Sequence, residues 1–186
     1  MTKAVFGLGN PGLPYALTRH NVGFEVIDLY RKVHRTRRKG RIEGSALLYS
    51  LDGLVLVKPM TYMNESGVAV RAVLEAHRIP VKDALIVYDD LDLDLGRIRI
   101  LSSGGAGSHK GMQSVLRAVG TEEIPRMRLG IEAHDRNAAG RDFVLDRFTP
   151  AEWERILPAL RDAVDAVDVF VDRGIDAAMT QFNRWE

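Results

Sequence analysis

The chain has 186 residues, 46% apolar and 27% charged, with a formal net charge of +1: enough for one buried core, with no global charge that singles out a polyanion as partner. It contains no cysteine, which excludes thiol nucleophiles, disulfides and thiolate metal sites. No signal-peptide pattern opens it and no apolar run nears the roughly 18 residues of a membrane span, so a cytoplasmic protein without membrane contact is expected.

Ala4–Leu8 is a short apolar run bounded by glycine and reads as a buried strand. It runs into Gly7-Leu-Gly-Asn-Pro-Gly12, which matches G-x-G-x-x-G. A dinucleotide site needs a helix opening at the third glycine with free N–H groups. Pro11 and Pro14 remove two of those donors, and Pro14 disfavours helix at Leu13. The acidic residue due about 20 positions on should end a strand, yet Asp28 lies in a helical pattern. No nucleotide cofactor is expected. A helix is predicted from about Asn21 to Val33, where Val22, Val26, Leu29, Tyr30 and Val33 share one stripe. The basic run His34 to Arg41 follows and reads as a solvated face, with contact to a polyanion as the alternative.

Ser45–Leu51 and Leu54–Lys58 flank Asp52-Gly53, a two-residue hairpin signal, and Pro59 ends the second strand. A helix is predicted over about Asn64 to Arg78 and a strand over Ala84–Tyr88, ending in Asp89-Asp90. Arg97–Leu101 alternates as a half-exposed strand. A glycine- and serine-rich loop from Ser102 to Gly107 leads into a helix over about His109 to Val119. Met127–Glu132 reads as a strand and Asn137 to Arg147 as loop around Phe143-Val144-Leu145. Thr149-Pro-Ala-Glu152 has N-cap, proline and capping-box acid in order. Helix then continues to about Arg173, Gly174 stops it, and a short helix covers Asp176 to Asn183. Strands alternating with helices, interrupted by a hairpin, predict an α/β fold: one domain over residues 1–186, a mixed twisted sheet with helices on both faces.

Four polar residues stand at strand ends and helix starts: Asn10, His20, Asn64 and Asp89. Ligands of α/β sheets sit at the carboxyl ends of strands. A neutral imidazole beside a carboxylate, with amide donors, suits water-mediated acyl hydrolysis. No G-x-S-x-G elbow supplies a serine nucleophile, so water takes that role. Each residue also has an ordinary reading: His20 as a helix-start residue, Asn10 as a turn former, Asn64 as an N-cap, Asp89 as a strand end. Asp90, Asp92 and Asp94 mimic a calcium loop, but Leu95 and Leu101 occupy the positions that need glycine and glutamate. No metal is expected.

Taken together, Gly7–Gly12 with Tyr15, Arg19-His20-Asn21, Met60-Thr-Tyr-Met-Asn-Glu-Ser-Gly67, Asp89-Asp-Leu-Asp92, Gly105-Ala-Gly-Ser-His-Lys-Gly111, Arg126-Met-Arg-Leu-Gly-Ile131 and Phe143-Val-Leu145 closely resemble the bacterial-type peptidyl-tRNA hydrolases, in that family's order. The resemblance implies a cofactor-free, monomeric esterase that separates peptide from the 3′ ribose of tRNA. It implies His20 as general base, Asp89 as its support and Asn10 as substrate and oxyanion contact. Asn64 and Met63 would position peptide and terminal nucleotide, and Tyr15 would line the cleft. Two departures stand out: Lys110 occupies a position where the family carries asparagine, and Leu101 occupies the edge-strand position of a basic phosphate contact. Arg128 keeps the second phosphate contact, and Arg99 is the expected substitute for the first. The alternative is a non-catalytic RNA-binding module on the same fold.

Overall fold

The computed structural model describes residues 2–132 and 141–183. In chain order the elements are β1 (Lys3–Gly7), α1 (Val22–Val33), β2 (Arg41–Glu43), β3 (Ala46–Leu51), β4 (Leu54–Pro59), α2 (Ser66–Ala76) and β5 (Ala84–Asp94). They continue with β6 (Ile98–Leu101), α3 (Lys110–Val119), β7 (Arg126–Glu132), α4 (Arg141–Leu145), α5 (Pro150–Arg173) and α6 (Ile175–Phe182). The seven strands form one sheet in the order β2-β3-β4-β1-β5-β7-β6. β4, β1, β5 and β7 are parallel, and antiparallel pairing of β2, β3 and β6 closes both edges. This is the mixed α/β architecture expected.

Strand periodicity sorts the core into two layers. Val5, Leu85, Val87, Met127 and Leu129 face α1, α5 and α6; Ala4, Phe6, Ala84, Ile86 and Tyr88 face α2 and α3. The capping box at Thr149 forms as predicted and starts α5. A Cβ at Gly7 would lie 2.1 Å from the Gly23 carbonyl oxygen, and one at Gly23 would lie 2.5 Å from Leu8 N and Val87 O. The first glycine of the G-x-G-x-x-G match therefore lets the start of α1 press against β1 and β5. That contact sets the preceding turn, with His20, at the carboxyl edge of the sheet.

Some expectations are corrected. β2 lies at the end of the basic run, which showed no strand alternation; it exists because Gly44, at φ +53°, turns the chain back so that Glu43 pairs with Ala46. β5 runs on to Asp94, so Asp89 lies inside a strand rather than after one. Pairing with β7 carries the strand past the point where its apolar pattern stops. Arg97 precedes β6 and sits in the turn, its guanidinium 3.7 Å from Asp94. Asn64 is no helix cap: it lies in a 3-10 turn, Met63–Glu65, and makes no capping bond. Of the expected loop from Asn137 to Arg147, residues 137–140 lie outside the described residues, and Arg141–Leu145 is a helical turn.

Candidate active site

A cleft of about 630 Å³ opens where the turns after β1 and β4, the outer half of β5 and the loop before α3 converge. Asn10, Tyr15, His20, Met63, Asn64, Asp89, Lys110 and Arg128 all line it. Of the residues singled out in the sequence, Arg99 is the one that does not.

His20 sits in a 3-10 turn, Arg19–Asn21, immediately before α1. Its Nδ1 lies 2.8 Å from Asp89 Oδ1. Asp89 is 2% exposed and meets a second imidazole, with His109 Nε2 3.0 Å from the same oxygen. His109 caps α3, its Nδ1 accepting the Met112 N–H at 3.1 Å. That bond assigns the proton of neutral His109 to Nε2, so His109 donates to Asp89. Burial alone would raise the Asp89 carboxyl, but the imidazoles of His109 and His20, turning their N–H groups and positive ring ends toward it, outweigh that and hold the group well below the usual carboxylate range. An ionised carboxylate only accepts. His20 therefore donates from Nδ1, which leaves its Nε2 unprotonated in the neutral ring.

The amide of Asn10 is held from both ends. Its backbone N–H donates to Asn21 Oδ1 at 2.8 Å, and Asn21 Nδ2 donates to the Asn10 carbonyl at 2.9 Å. The Met63 N–H donates to Asn10 Oδ1 at 2.8 Å. The side-chain oxygen is thereby occupied, and the amide presents Nδ2 as its donor. Met63 is buried; Asn64 is exposed on the rim. Tyr15 packs edge-on against Tyr62, with ring centroids 6.3 Å apart. Lys110, the first residue of α3, is exposed at the mouth.

At the far side Arg128 forms an ion pair with Asp90. Arg99 is its direct neighbour across the antiparallel β6–β7 pair, on the same face of the sheet. Leu101 faces Arg126 instead. Arg126 is buried and structural: it donates to the carbonyls of Gly104, Gly105, Glu122 and Ile124, pinning the glycine-rich loop that borders the cleft.

Among the described residues, one group has the composition of a metal site: His20, Asp89 and His109, with ligand atoms within 4.8 Å of one another. The Met112 N–H argues against it. A metal at His109 Nε2 would move the ring proton to Nδ1, where it would confront another donor. The cluster fits a hydrogen-bonded anchor for the His20 imidazole better than a cation site.

His109 was missed as a site residue in the sequence. A histidine between a glycine-rich loop and a helix reads as a helix start, and its signal as an N-cap is weak. Asn21 and Arg19 carry no role in the sequence reading: Asn21 bonds Asn10 across the turn eleven residues before it, and Arg19 finds Glu152 133 residues on.

The residues thus gathered come from blocks spread over the whole chain, and the relationships found for the chain extend equally far. The family model for peptidyl-tRNA hydrolase matches residues 4–186. The chain is 44% identical to a peptidyl-tRNA hydrolase of Carboxydothermus hydrogenoformans over 186 positions covering 97% of each protein. It is 43% identical to one of Chloroflexus aggregans, covering 96% of this chain and 97% of the relative. The crystal structure of peptidyl-tRNA hydrolase from Acinetobacter baumannii superposes with a TM-score of 0.88 at 28% identity, over 100% of this chain and 96% of that one. With a full-length family match, close relatives along the whole sequence and a shared fold, the chain belongs to the peptidyl-tRNA hydrolase family.

Proposed function

We propose that the protein hydrolyses the ester joining a peptide to the 3′ ribose of tRNA, with His20 as general base. The observation that carries this is the convergence of the His109 and His20 N–H donors on Asp89 Oδ1, which leaves His20 Nε2 as a proton acceptor in a cleft that also holds the Asn10 amide donor. A water at Nε2 attacks the ester carbonyl as its proton passes to the imidazole. Ionised Asp89 stabilises the imidazolium. Asn10 Nδ2 donates to the oxygen that becomes negative. The tetrahedral intermediate collapses, the C–O bond to ribose breaks, and the imidazolium returns its proton to the departing 3′ oxygen. A general base contributes typically ~10²- to 10⁴-fold and one oxyanion donor about 10²- to 10³-fold.

Tyr15, Met63 and Asn64 then position the peptide and the terminal nucleotide, and Lys110 meets a backbone phosphate at the mouth. Arg128 and Arg99 hold the 5′ phosphate; their fork suits that group. No nucleotide cofactor or metal takes part. The protein acts as a single unit and a monomer in the cytoplasm, where charged tRNA is found. In the described residues no helix is long and apolar enough to cross a membrane. The contacts of His20 and His109 with buried Asp89 support the enzyme reading over a silent RNA-binding module. Turnover of N-blocked aminoacyl-tRNA tests the proposal: release of the blocked amino acid supports it, and tight binding without release overturns it in favour of the binding module.

A further inference from the structure

Arg19 adjoins His20 in sequence but points away from the chemistry. It is 5% exposed, and its Nη2 reaches both carboxylate oxygens of Glu152, at 2.9 and 2.7 Å. Its Nη1 donates to the Phe143 carbonyl at 3.2 Å, and its guanidinium carbon stands 4.1 Å from the Phe143 ring centroid and 5.5 Å from that of Phe148. The backbone repeats the connection. Arg19 N–H donates to the Asp146 carbonyl at 3.0 Å, and Thr18 bridges Arg147. The turn carrying His20 is therefore stitched to the 143–152 segment by main chain, charge and ring stacking.

That segment includes α4, whose Val144 and Leu145 form an apolar wall of the cleft. α4 is five residues long, too short to hold its place by helix propensity alone. Leu17, two residues before Arg19, is held at φ +62°, a conformation that costs free energy and persists where surrounding contacts impose it.

We infer that Arg19 is a positioning residue: with Glu152 it latches α4 to the general-base turn, so that the apolar wall and His20 hold one geometry around the acyl end of the substrate. Arginine is required because one side chain must serve a carboxylate, a carbonyl and an aromatic face together, which a lysine ammonium does not do. Glu152 also accepts from the Thr149 N–H at 2.7 Å in the capping box. The latch thus shares its anchor with the start of α5.

The inference rests on the proposed hydrolysis, and its test has one arm independent of activity. Glu152→Gln keeps a residue able to complete a capping box and removes the charge opposite Arg19; Arg19→Lys keeps the charge and removes the fork. Hydrogen exchange should accelerate at least threefold at amides of α4 and of residues 18–20 in both variants, with the middle of α5 unchanged. With N-acetyl-phenylalanyl-tRNA as substrate, KM should rise about three- to tenfold in both, and kcat should also fall in Arg19→Lys. The pH profile of kcat/KM should stay in place, because the His20–Asp89 pair is untouched. Unchanged exchange overturns the latch whatever the kinetics show. Faster exchange with unchanged KM overturns the positioning role, and so does a loss that follows only the fraction of folded protein. If the wild type itself fails to release acyl groups, the proposed hydrolysis fails while the exchange arm still decides the latch.

Discussion

Replacing Asp89 by asparagine isolates the charge at the centre of the site. Both imidazole N–H groups meet Oδ1, so in Asp89→Asn the amide oxygen keeps both hydrogen bonds and both tautomers. What disappears is the negative charge facing the imidazolium that forms as water is deprotonated. Unit charges about 4 Å apart at an effective dielectric near 20 attract by about 4 kcal/mol, and tenfold in rate corresponds to about 1.4 kcal/mol. The ceiling is therefore about 10³-fold; because the amide dipole and partial proton transfer offset some of it, kcat should fall about 10²- to 10³-fold. Substrate affinity should change less than about threefold, since Asp89 is buried behind the histidines. Single-turnover release of a labelled acyl group, with enzyme in excess, separates the chemical step from binding. A loss below about tenfold would refute the claim that the Asp89 charge supports the base. The folded-state pKa of Asp89 lies below its unfolded value. Its ionised form therefore stabilises the fold above the unfolded value, and that contribution is lost as pH falls through the folded one. The melting temperature of Asp89→Asn should accordingly fall less steeply than that of the wild type under acid conditions.

His20→Ala should abolish hydrolysis while leaving tRNA affinity and the circular dichroism spectrum intact; activity within about threefold of wild type, a difference near 0.7 kcal/mol, would remove His20 from the mechanism. Arg99→Ala and Arg128→Ala should each weaken full-length substrate by about 1–3 kcal/mol, with a shallower salt dependence of binding. The double variant should lose little more than the worse single one if both grip the same phosphate; equal affinity of Arg99→Ala and wild type across several salt concentrations would assign the contact elsewhere. Dialysis against EDTA should leave turnover unchanged, and activity lost to the chelator and restored by a divalent ion would contradict the tautomer argument at His109.

Much of this protein is written in short windows of its sequence. The buried first strand, within one residue of its expected bounds, the Asp52-Gly53 hairpin, the capping box at Thr149 and the stop at Gly174 all appear, because each rests on interactions spanning a few residues. The spaced blocks around Asn10, His20, Asn64 and Asp89 carry the family. Tertiary structure decided the rest. Asp89 lies within β5 because β7 pairs alongside it, and β2 is a strand because β3 is there to accept it. His109 becomes part of the site because α3 delivers it to a carboxylate 20 residues away in sequence, and Arg19 finds its partner 133 residues on. These contacts form between side chains that no local pattern relates. A buried charge reveals its purpose only when the fold brings up the group that neutralises it.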